Sequence, residues 1–152
     1  MRVTRHEEFE TAHLLPGYDG PCGNLHGHSY KIEVTVEGPQ HDDHFGMVMD
    51  FKDLKTAIKE IVPDHRFVFN GANPSEVEKD LIAVLDKYEL KYVAYPFDTT
   101  AENMVGYFAE LIDSYIKNEL GYTDVNVVEV NLWETTNSHA TWKRPEQLRL
   151  DI

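Results

Sequence analysis

Apolar and polar residues alternate along several segments of the chain, and this alternation predicts β-strands. The first segment runs from Arg2 to His13 and is predicted to end at the histidine. The second, SYKIEVTVEG, places three aliphatic residues on one face: Ile32, Val34 and Val36. The segment DVNVVEVNLWET is the clearest late strand, and a turn at TNS separates it from a short strand around Trp142.

Two segments in the middle of the chain have apolar residues at helical spacing. In MDFKDLKTAIKEIVP, Asp50 is placed to cap a helix that ends before Pro63. In NPSEVEKDLIAVLDKY, Asn73 is the expected cap and Pro74 fits the first turn. The residues expected to face inward in this second helix are Val77, Leu81, Val84, Leu85 and Tyr88.

A third and longer helix is predicted to open at Thr99 or Thr100 and to stop at Gly121, after a short strand-like segment KYVAYPF. Strands and helices are thus grouped along the chain instead of alternating regularly. This grouping predicts an α+β domain with an antiparallel sheet. The 152 residues, of which 41% are hydrophobic, suit a single domain over residues 1–152.

Charge and cysteine usage narrow the function classes. The formal net charge of −13 argues against a nucleic-acid-binding protein, which would carry a basic face. No apolar run approaches the roughly 20 residues of a membrane span, and the N-terminus has no apolar signal segment. A single cysteine cannot form an internal disulfide. We therefore expect a protein of the reducing cytoplasm.

The segment PCGNLHGHSY contains the pattern of a metal site. His26 and His28 point to the same face of an extended segment, with Gly27 between them. His13 ends a strand that can lie beside them. Three neutral imidazoles suit Zn²⁺ and leave a fourth position for water or substrate. Short motifs recur by accident, so the alternative interpretation is three ordinary surface or hydrogen-bonded histidines.

Cys22, four residues before His26, has three interpretations. It is the fourth zinc ligand of a closed structural site, or a thiolate base beside an open site. The third interpretation is a small buried apolar residue, which the flanking loop residues make the weakest.

Three further positions carry candidate chemistry. Asp64 and His65 are adjacent and suit an acid/base dyad, although a helix-terminal aspartate and an exposed histidine are equally consistent with the sequence. Glu134 shares a strand face with apolar residues and suits recognition of an amidine-like edge, unless it is simply exposed at the strand end. Thr99 and Glu102 have capping-box spacing, and Thr100 is a secondary candidate for ligand contact.

Six segments in this order resemble the 6-pyruvoyltetrahydropterin synthase superfamily, and most closely its queuosine-pathway branch, the 6-carboxytetrahydropterin synthases (the QueD family). The segments are FETAH, CGNLHGHSY, GMVMDFKDLK, DHRFVFN, TTAEN and WETTNSHATW. The resemblance implies zinc on three histidines, a cysteine base, an acid/base dyad and a pterin-binding region. The corresponding residues are His13, His26 and His28; Cys22; Asp64 and His65; and Glu134, with Thr100 and Glu102 near it.

The resemblance also implies the tunnelling fold, with helices on one face of the sheet and subunits joined into a barrel. A homo-hexamer with active sites between subunits is the first expectation. The implied reaction converts 7,8-dihydroneopterin triphosphate into 6-carboxy-5,6,7,8-tetrahydropterin, acetaldehyde and triphosphate. Residues 71–97 are longer than in the shortest family members and are interpreted as an inserted helix and strand.

Two alternatives remain open at the level of the sequence. Within the same class, the product is 6-pyruvoyltetrahydropterin or that of another pterin-acting paralogue. In a different class, the chain is a non-catalytic zinc-binding protein with Cys22 as the fourth ligand. The basic residues considered for contact with the triphosphate are Lys31, Arg66, Lys143 and Arg144.

Overall fold

A computed structural model describes residues 1–146 as one six-stranded sheet with three α-helices. The strands are β1 (Arg2–His13), β2 (His26–Glu37), β3 (Arg66–Asn70), β4 (Tyr92–Tyr95), β5 (Asn126–Thr135) and β6 (Ser138–Lys143). The helices are α1 (Phe51–Ile61), α2 (Glu76–Lys87) and α3 (Ala101–Asn118). The α+β class predicted from the sequence is confirmed.

The sheet has the order β4-β3-β1-β2-β5-β6. The four strands β1, β2, β5 and β6 pair in antiparallel fashion, as expected. Strands β3 and β4 are added in parallel at the edge of β1, so the sheet is mixed. The alternation pattern did not reveal β3, because its residues Phe67, Val68 and Phe69 are all buried and show no period of two.

Helices α1 and α3 cover one face of the sheet, which we call the inner face; the opposite face is the outer face. The main core lies between these helices and the inner face. Its largest fully buried side chains include Tyr30, Phe9, Phe108, Ile32, Leu54 and Ile58. Asp50 caps α1 as predicted, since its side chain accepts a hydrogen bond from the Lys52 backbone N–H at 2.7 Å.

Helix α2 packs on the outer face, so the expectation of helices on one face holds only for α1 and α3. Leu81 and Leu85 pack against Phe67 and Phe69 in a second, smaller cluster. Phe67 pairs with Ala12 across the β1–β3 ladder, and Ala12 is turned away from the buried neighbours Thr11 and His13.

The predicted details of α2 need correction. Ser75, and not Asn73, is the cap, because its hydroxyl accepts from the Glu78 N–H and Glu78 reaches back to the Ser75 N–H. The predicted inward residues Val77, Val84 and Tyr88 are more than half exposed. The small apolar cluster beneath α2 contacts Leu81 and Leu85 and does not extend to these three side chains.

Helix α3 is capped by Thr100, and Gly121 follows its end in the left-handed conformation. Within residues 1–146, none of the helices has the length and apolar character needed to cross a membrane.

Candidate metal centre

Three histidine rings meet on the inner face, at the end of the sheet where β1 stops and β2 starts. The antiparallel register pairs His13 with His26 and Thr11 with His28. The ring centroid of His13 lies 4.6 Å from that of His26 and 5.3 Å from that of His28. The His26 and His28 centroids are 4.8 Å apart. The sheet thus brings together the three residues that the sequence singles out as metal ligands.

Backbone carbonyls orient two of the rings. Nδ1 of His13 donates to the Thr99 carbonyl oxygen at 2.9 Å, and Nδ1 of His26 donates to the Asn24 carbonyl oxygen at 2.7 Å. A proton on Nδ1 leaves the Nε2 lone pair free. The Nε2 atoms of all three rings, including His28, are buried and have no hydrogen-bond partner within the part of the chain described. Buried polar atoms are seldom left unpaired, so three converging Nε2 atoms without a partner indicate a binding site for a positively charged group.

Glu134 adds a carboxylate to the cluster. Glu134 follows the buried Leu132 by two residues on β5, so its side chain is directed to the same inner face. Its Oε1 is 2.7 Å from Nε2 of His28 and 3.7 Å from Nε2 of His13. The four ligand atoms all lie within 4.8 Å of one another. Three imidazoles and one carboxylate are a donor set that fits a divalent transition-metal ion.

Burial keeps the imidazoles in the form that binds metal. Desolvation lowers the pKa of His13 from 6.5 to about 4, and the neighbouring rings of His26 and His28 act in the same direction. Burial also lowers the pKa of His28, against the opposing charge of Glu134. The ring of His13 is therefore neutral at pH 7, as a metal ligand must be.

Cys22 lies in a short 3₁₀ turn, Pro21–Gly23, and is partly exposed. The turn is pinned to the end of β1 because the Cys22 carbonyl oxygen accepts from the Leu15 N–H at 2.8 Å. The thiol does not belong to the group of four ligand atoms. It lies close enough to Tyr30 for its charge to contribute to raising the pKa of that phenol. Cys22 thus stands beside the cluster and outside the ligand set.

Asp64 and His65 form a hydrogen-bonded pair at the edge of β1. His65 Nδ1 lies 2.9 Å from Asp64 Oδ1, and the same oxygen accepts from the Glu10 N–H at 2.9 Å. This backbone hydrogen bond is the main reason that the pKa of Asp64 is lowered. His65 adopts φ 55°, a left-handed conformation, and its side chain is 78% exposed.

The Asp64–His65 pair belongs to the outer face. His65 lines a groove of about 510 Å³ together with Glu10, Ser29 and Arg66, and His28 borders the same groove. Glu10 and Ser29 hydrogen-bond to each other and are exposed, whereas their neighbours in β1 and β2 are buried on the inner face. Within one chain, the dyad and the three histidines therefore lie on opposite faces of the sheet.

The region around Thr99 differs from the sequence prediction. Thr100, and not Thr99, caps α3, because its hydroxyl accepts from the Asn103 N–H at 3.3 Å. The Thr99–Glu102 capping box is therefore wrong, and Glu102 is exposed in the first turn. Thr99 is instead fully buried against His13. Thr100 lines a shallow groove with the loop of residues 15–18.

Three residues of the site were not assigned to it from the sequence. Asn24 and Thr99 act through their backbone carbonyls. Every residue has such a carbonyl, so the residue type gives no sign of this role. The third is Tyr30, whose hydroxyl is buried beside the cluster without a partner. Its position two residues after His28 on an alternating strand is a signal that would have placed it on the same face.

Comparison with known proteins agrees with this geometry. A sequence model of the family described as "6-pyruvoyl tetrahydropterin synthase" matches residues 2–145. A Haemophilus influenzae protein named 6-carboxy-5,6,7,8-tetrahydropterin synthase is 34% identical, and the match covers 94% of this chain and 99% of the relative. An Aquifex aeolicus protein of the same name is 38% identical over 80% of this chain and 75% of its own length.

Solved structures with lower identity share the fold. The 6-pyruvoyl tetrahydropterin synthase of Plasmodium falciparum superimposes with a TM-score of 0.69 at 19% identity, covering 95% of this chain and 97% of that one. An uncharacterized Wolinella succinogenes protein gives a TM-score of 0.71 at 24% identity, with 95% and 98% covered. The family match over nearly the whole chain, the identity to these relatives and the shared fold together show that the chain belongs to the 6-pyruvoyl tetrahydropterin synthase family.

Proposed function

We propose that the protein is a zinc-dependent 6-carboxytetrahydropterin synthase. It converts 7,8-dihydroneopterin triphosphate and water into 6-carboxy-5,6,7,8-tetrahydropterin, acetaldehyde and triphosphate, a step of queuosine (7-deazaguanine) biosynthesis. The observation that carries the proposal is the convergence of three buried, unpaired Nε2 atoms from His13, His26 and His28. The product is taken from the names of the relatives in Haemophilus influenzae and Aquifex aeolicus.

The three histidines are the residues that hold the zinc ion. Their donor type and neutral state fit Zn²⁺, which prefers imidazole nitrogen and tolerates an open fourth position. When bound, zinc acts as a Lewis acid that stabilises negative charge developing on oxygen atoms of the substrate. The carbonyls of Thr99 and Asn24 hold the rings of His13 and His26 in the tautomer that faces the ion.

Cys22 is the base that removes a carbon-bound proton. Cys22 is partly exposed, and its turn is anchored to Leu15, two residues after His13, so a small molecule can reach this residue. The thiolate is the active form of such a base. That Cys22 lies outside the group of ligand atoms supports the catalytic role over the role of fourth zinc ligand.

Asp64 and His65 are the second acid/base pair, and they reach the substrate from another copy of the chain. The dyad faces the groove on the outer face, whereas zinc and Cys22 serve the inner side of β1 and β2. The opposite orientation of these side chains supports a proposal in which the two half-sites of one chain act on different substrate molecules. A homo-hexamer with active sites between subunits joins the two halves.

Glu134 binds the amino-pyrimidine edge of the pterin, since a carboxylate accepts two parallel N–H groups. Thr100 and Glu102 complete the rim of the pterin site at the start of α3. Of the basic residues considered for the triphosphate, Lys31, Lys143 and Arg144 are ion-paired with carboxylates. Arg66 lines the groove beside His65 and is the better candidate.

The family description itself favours a second candidate, 6-pyruvoyltetrahydropterin synthase. That reaction uses the same substrate, zinc site and bases but retains the three-carbon side chain.

A product assay tests the proposal. Zinc-loaded protein is incubated with 7,8-dihydroneopterin triphosphate, and the products are identified by mass spectrometry beside a Cys22→Ala variant and chelator-treated protein. We expect 6-carboxytetrahydropterin and acetaldehyde from the zinc-loaded wild type alone. The pyruvoyl product selects the second candidate. An untouched substrate with stoichiometric zinc contradicts both and selects a non-catalytic zinc protein.

A further inference from the structure

Tyr30 is the most deeply buried polar side chain near the metal centre, and its position is unusual. The residue is fully buried, and its ring stacks on Phe9 at 5.1 Å between centroids. Its edge meets the ring of His28 at 5.4 Å. The hydroxyl oxygen has no hydrogen-bond partner within residues 1–146. A phenylalanine would fill the same space, so burial of the hydroxyl costs free energy unless a hydrogen-bond partner reaches it.

The sheet places Tyr30 next to Glu134. The β2–β5 ladder pairs Ile32 with Leu132 and Lys31 with Trp133, where it ends. The next residue along each strand is Tyr30 on β2 and Glu134 on β5, and both side chains are on the inner face. The phenol hydroxyl is a hydrogen-bond donor and is therefore available to an acceptor that comes within reach.

Glu134 is the natural acceptor for this hydroxyl. The Oε1 atom of Glu134 lies close to Nε2 of His28. The two atoms do not form a hydrogen bond, because their relative orientation is unsuitable. Once an ion takes the His28 nitrogen, the carboxylate has two alternatives. It can become a further ligand of the ion, or it can turn towards a donor and face the substrate.

We propose that Tyr30 is a positioning residue that decides between these alternatives by donating its hydroxyl hydrogen bond to the Glu134 carboxylate. The hydrogen bond holds Glu134 off the metal ion and keeps it directed at the amino-pyrimidine edge of the substrate. This inference rests on the proposed function, because it assigns Glu134 to the pterin.

The test is a double-mutant cycle with Tyr30→Phe, Glu134→Gln and the double variant. Two affinities are measured on each protein: zinc, by competition with a chelating dye, and 7,8-dihydroneopterin on the zinc-loaded protein, by fluorescence titration. We expect Tyr30→Phe to weaken pterin binding about tenfold, as for a hydrogen bond to a charged group. It should tighten zinc binding, because the released carboxylate ligates the ion. In the double variant both effects of Tyr30→Phe should disappear.

Tyr122→Phe is the matched control. Tyr122 donates to Asp53 at 2.6 Å, so its phenylalanine variant loses a formed tyrosine–carboxylate hydrogen bond away from the site. It should lower stability without changing either affinity. Metal-free Tyr30→Phe should be at least as stable as the wild type, since its hydroxyl has no partner to lose.

Three outcomes overturn the inference. Pterin binding by Tyr30→Phe equal to that of the wild type removes the role of the hydroxyl. Losses that multiply in the double variant show that Tyr30 does not act through Glu134. Weaker zinc binding in Tyr30→Phe shows general damage to the centre. Failure of the zinc-loaded wild type itself to bind 7,8-dihydroneopterin is distinguishable from these, because it contradicts the proposed function and the role of Tyr30 with it.

Discussion

Acidification of the metal-free protein should destabilise it through His13. This ring is fully buried, and its Nδ1 hydrogen bond to Thr99 leaves Nε2 facing two other imidazoles. In the unfolded chain the ring takes up a proton near pH 6.5, whereas in the folded protein its pKa is about 4. The unfolded state therefore binds more protons between these two pH values. Stability is full above pH 6.5 and is lost as the pH falls towards 4.

The size of the effect follows from the two pKa values of His13. A difference from 6.5 to about 4 corresponds to about 3 kcal/mol, since one pKa unit is worth about 1.4 kcal/mol. That is a large part of the ~5–15 kcal/mol by which domains are usually stable. The lowered pKa of His28 adds to the effect in the same direction.

Urea denaturation of chelator-treated protein between pH 7.5 and pH 4.5 measures this loss. The difference between the wild type and His13→Asn isolates the contribution of His13, because an amide does not titrate but still donates to Thr99. His44→Asn is the matched control, since that side chain is 73% exposed. The reasoning is refuted if the stability of the wild type is flat from pH 7 to pH 5, or if His13→Asn shows the same pH dependence.

Three further results are expected. His26→Ala and His65→Ala should each be inactive. Their 1:1 mixed oligomers should recover about a quarter of wild-type activity, because random assembly brings two intact half-sites together in about one site in four. No recovery would place both half-sites in one chain. Iodoacetamide should alkylate Cys22 in the zinc-loaded protein and abolish turnover while zinc is retained; release of zinc would identify a ligand. Asp64→Asn should lower kcat by about 10²–10⁴ with unchanged zinc content, and an unchanged kcat would exclude the dyad from the chemistry.

The metal centre could be predicted from the sequence because it depends on short-range geometry. Two histidines at positions i and i+2 of an alternating strand must share a face. The strand ending at His13 needed only to pair in register with the next strand, and antiparallel neighbours in sequence commonly do so. Inner-face residues such as Ile32 and Val34 were assigned by the same period of two.

Other features depend on tertiary contacts that local patterns do not carry. The outer-face position of His65 follows from the attachment of β3 to the edge of β1, and from a left-handed backbone at that residue. The position of Glu134 beside the imidazoles depends on the pairing of β5 with β2, two strands that are far apart in the sequence. In α2, Val84 was assigned to the core by spacing alone, but the surface under the helix is too narrow to bury it.

X-ray absorption spectroscopy of the zinc-loaded protein tests the central claim most directly. The account predicts a first shell of three imidazole nitrogens at about 2.0–2.1 Å with oxygen in the remaining position, supplied by His13, His26 and His28. Such a site is open to the substrate, with the Cys22 thiol free to act as a base. A sulfur scatterer at about 2.3 Å would contradict the account, because it would make Cys22 a ligand and the centre a closed structural site.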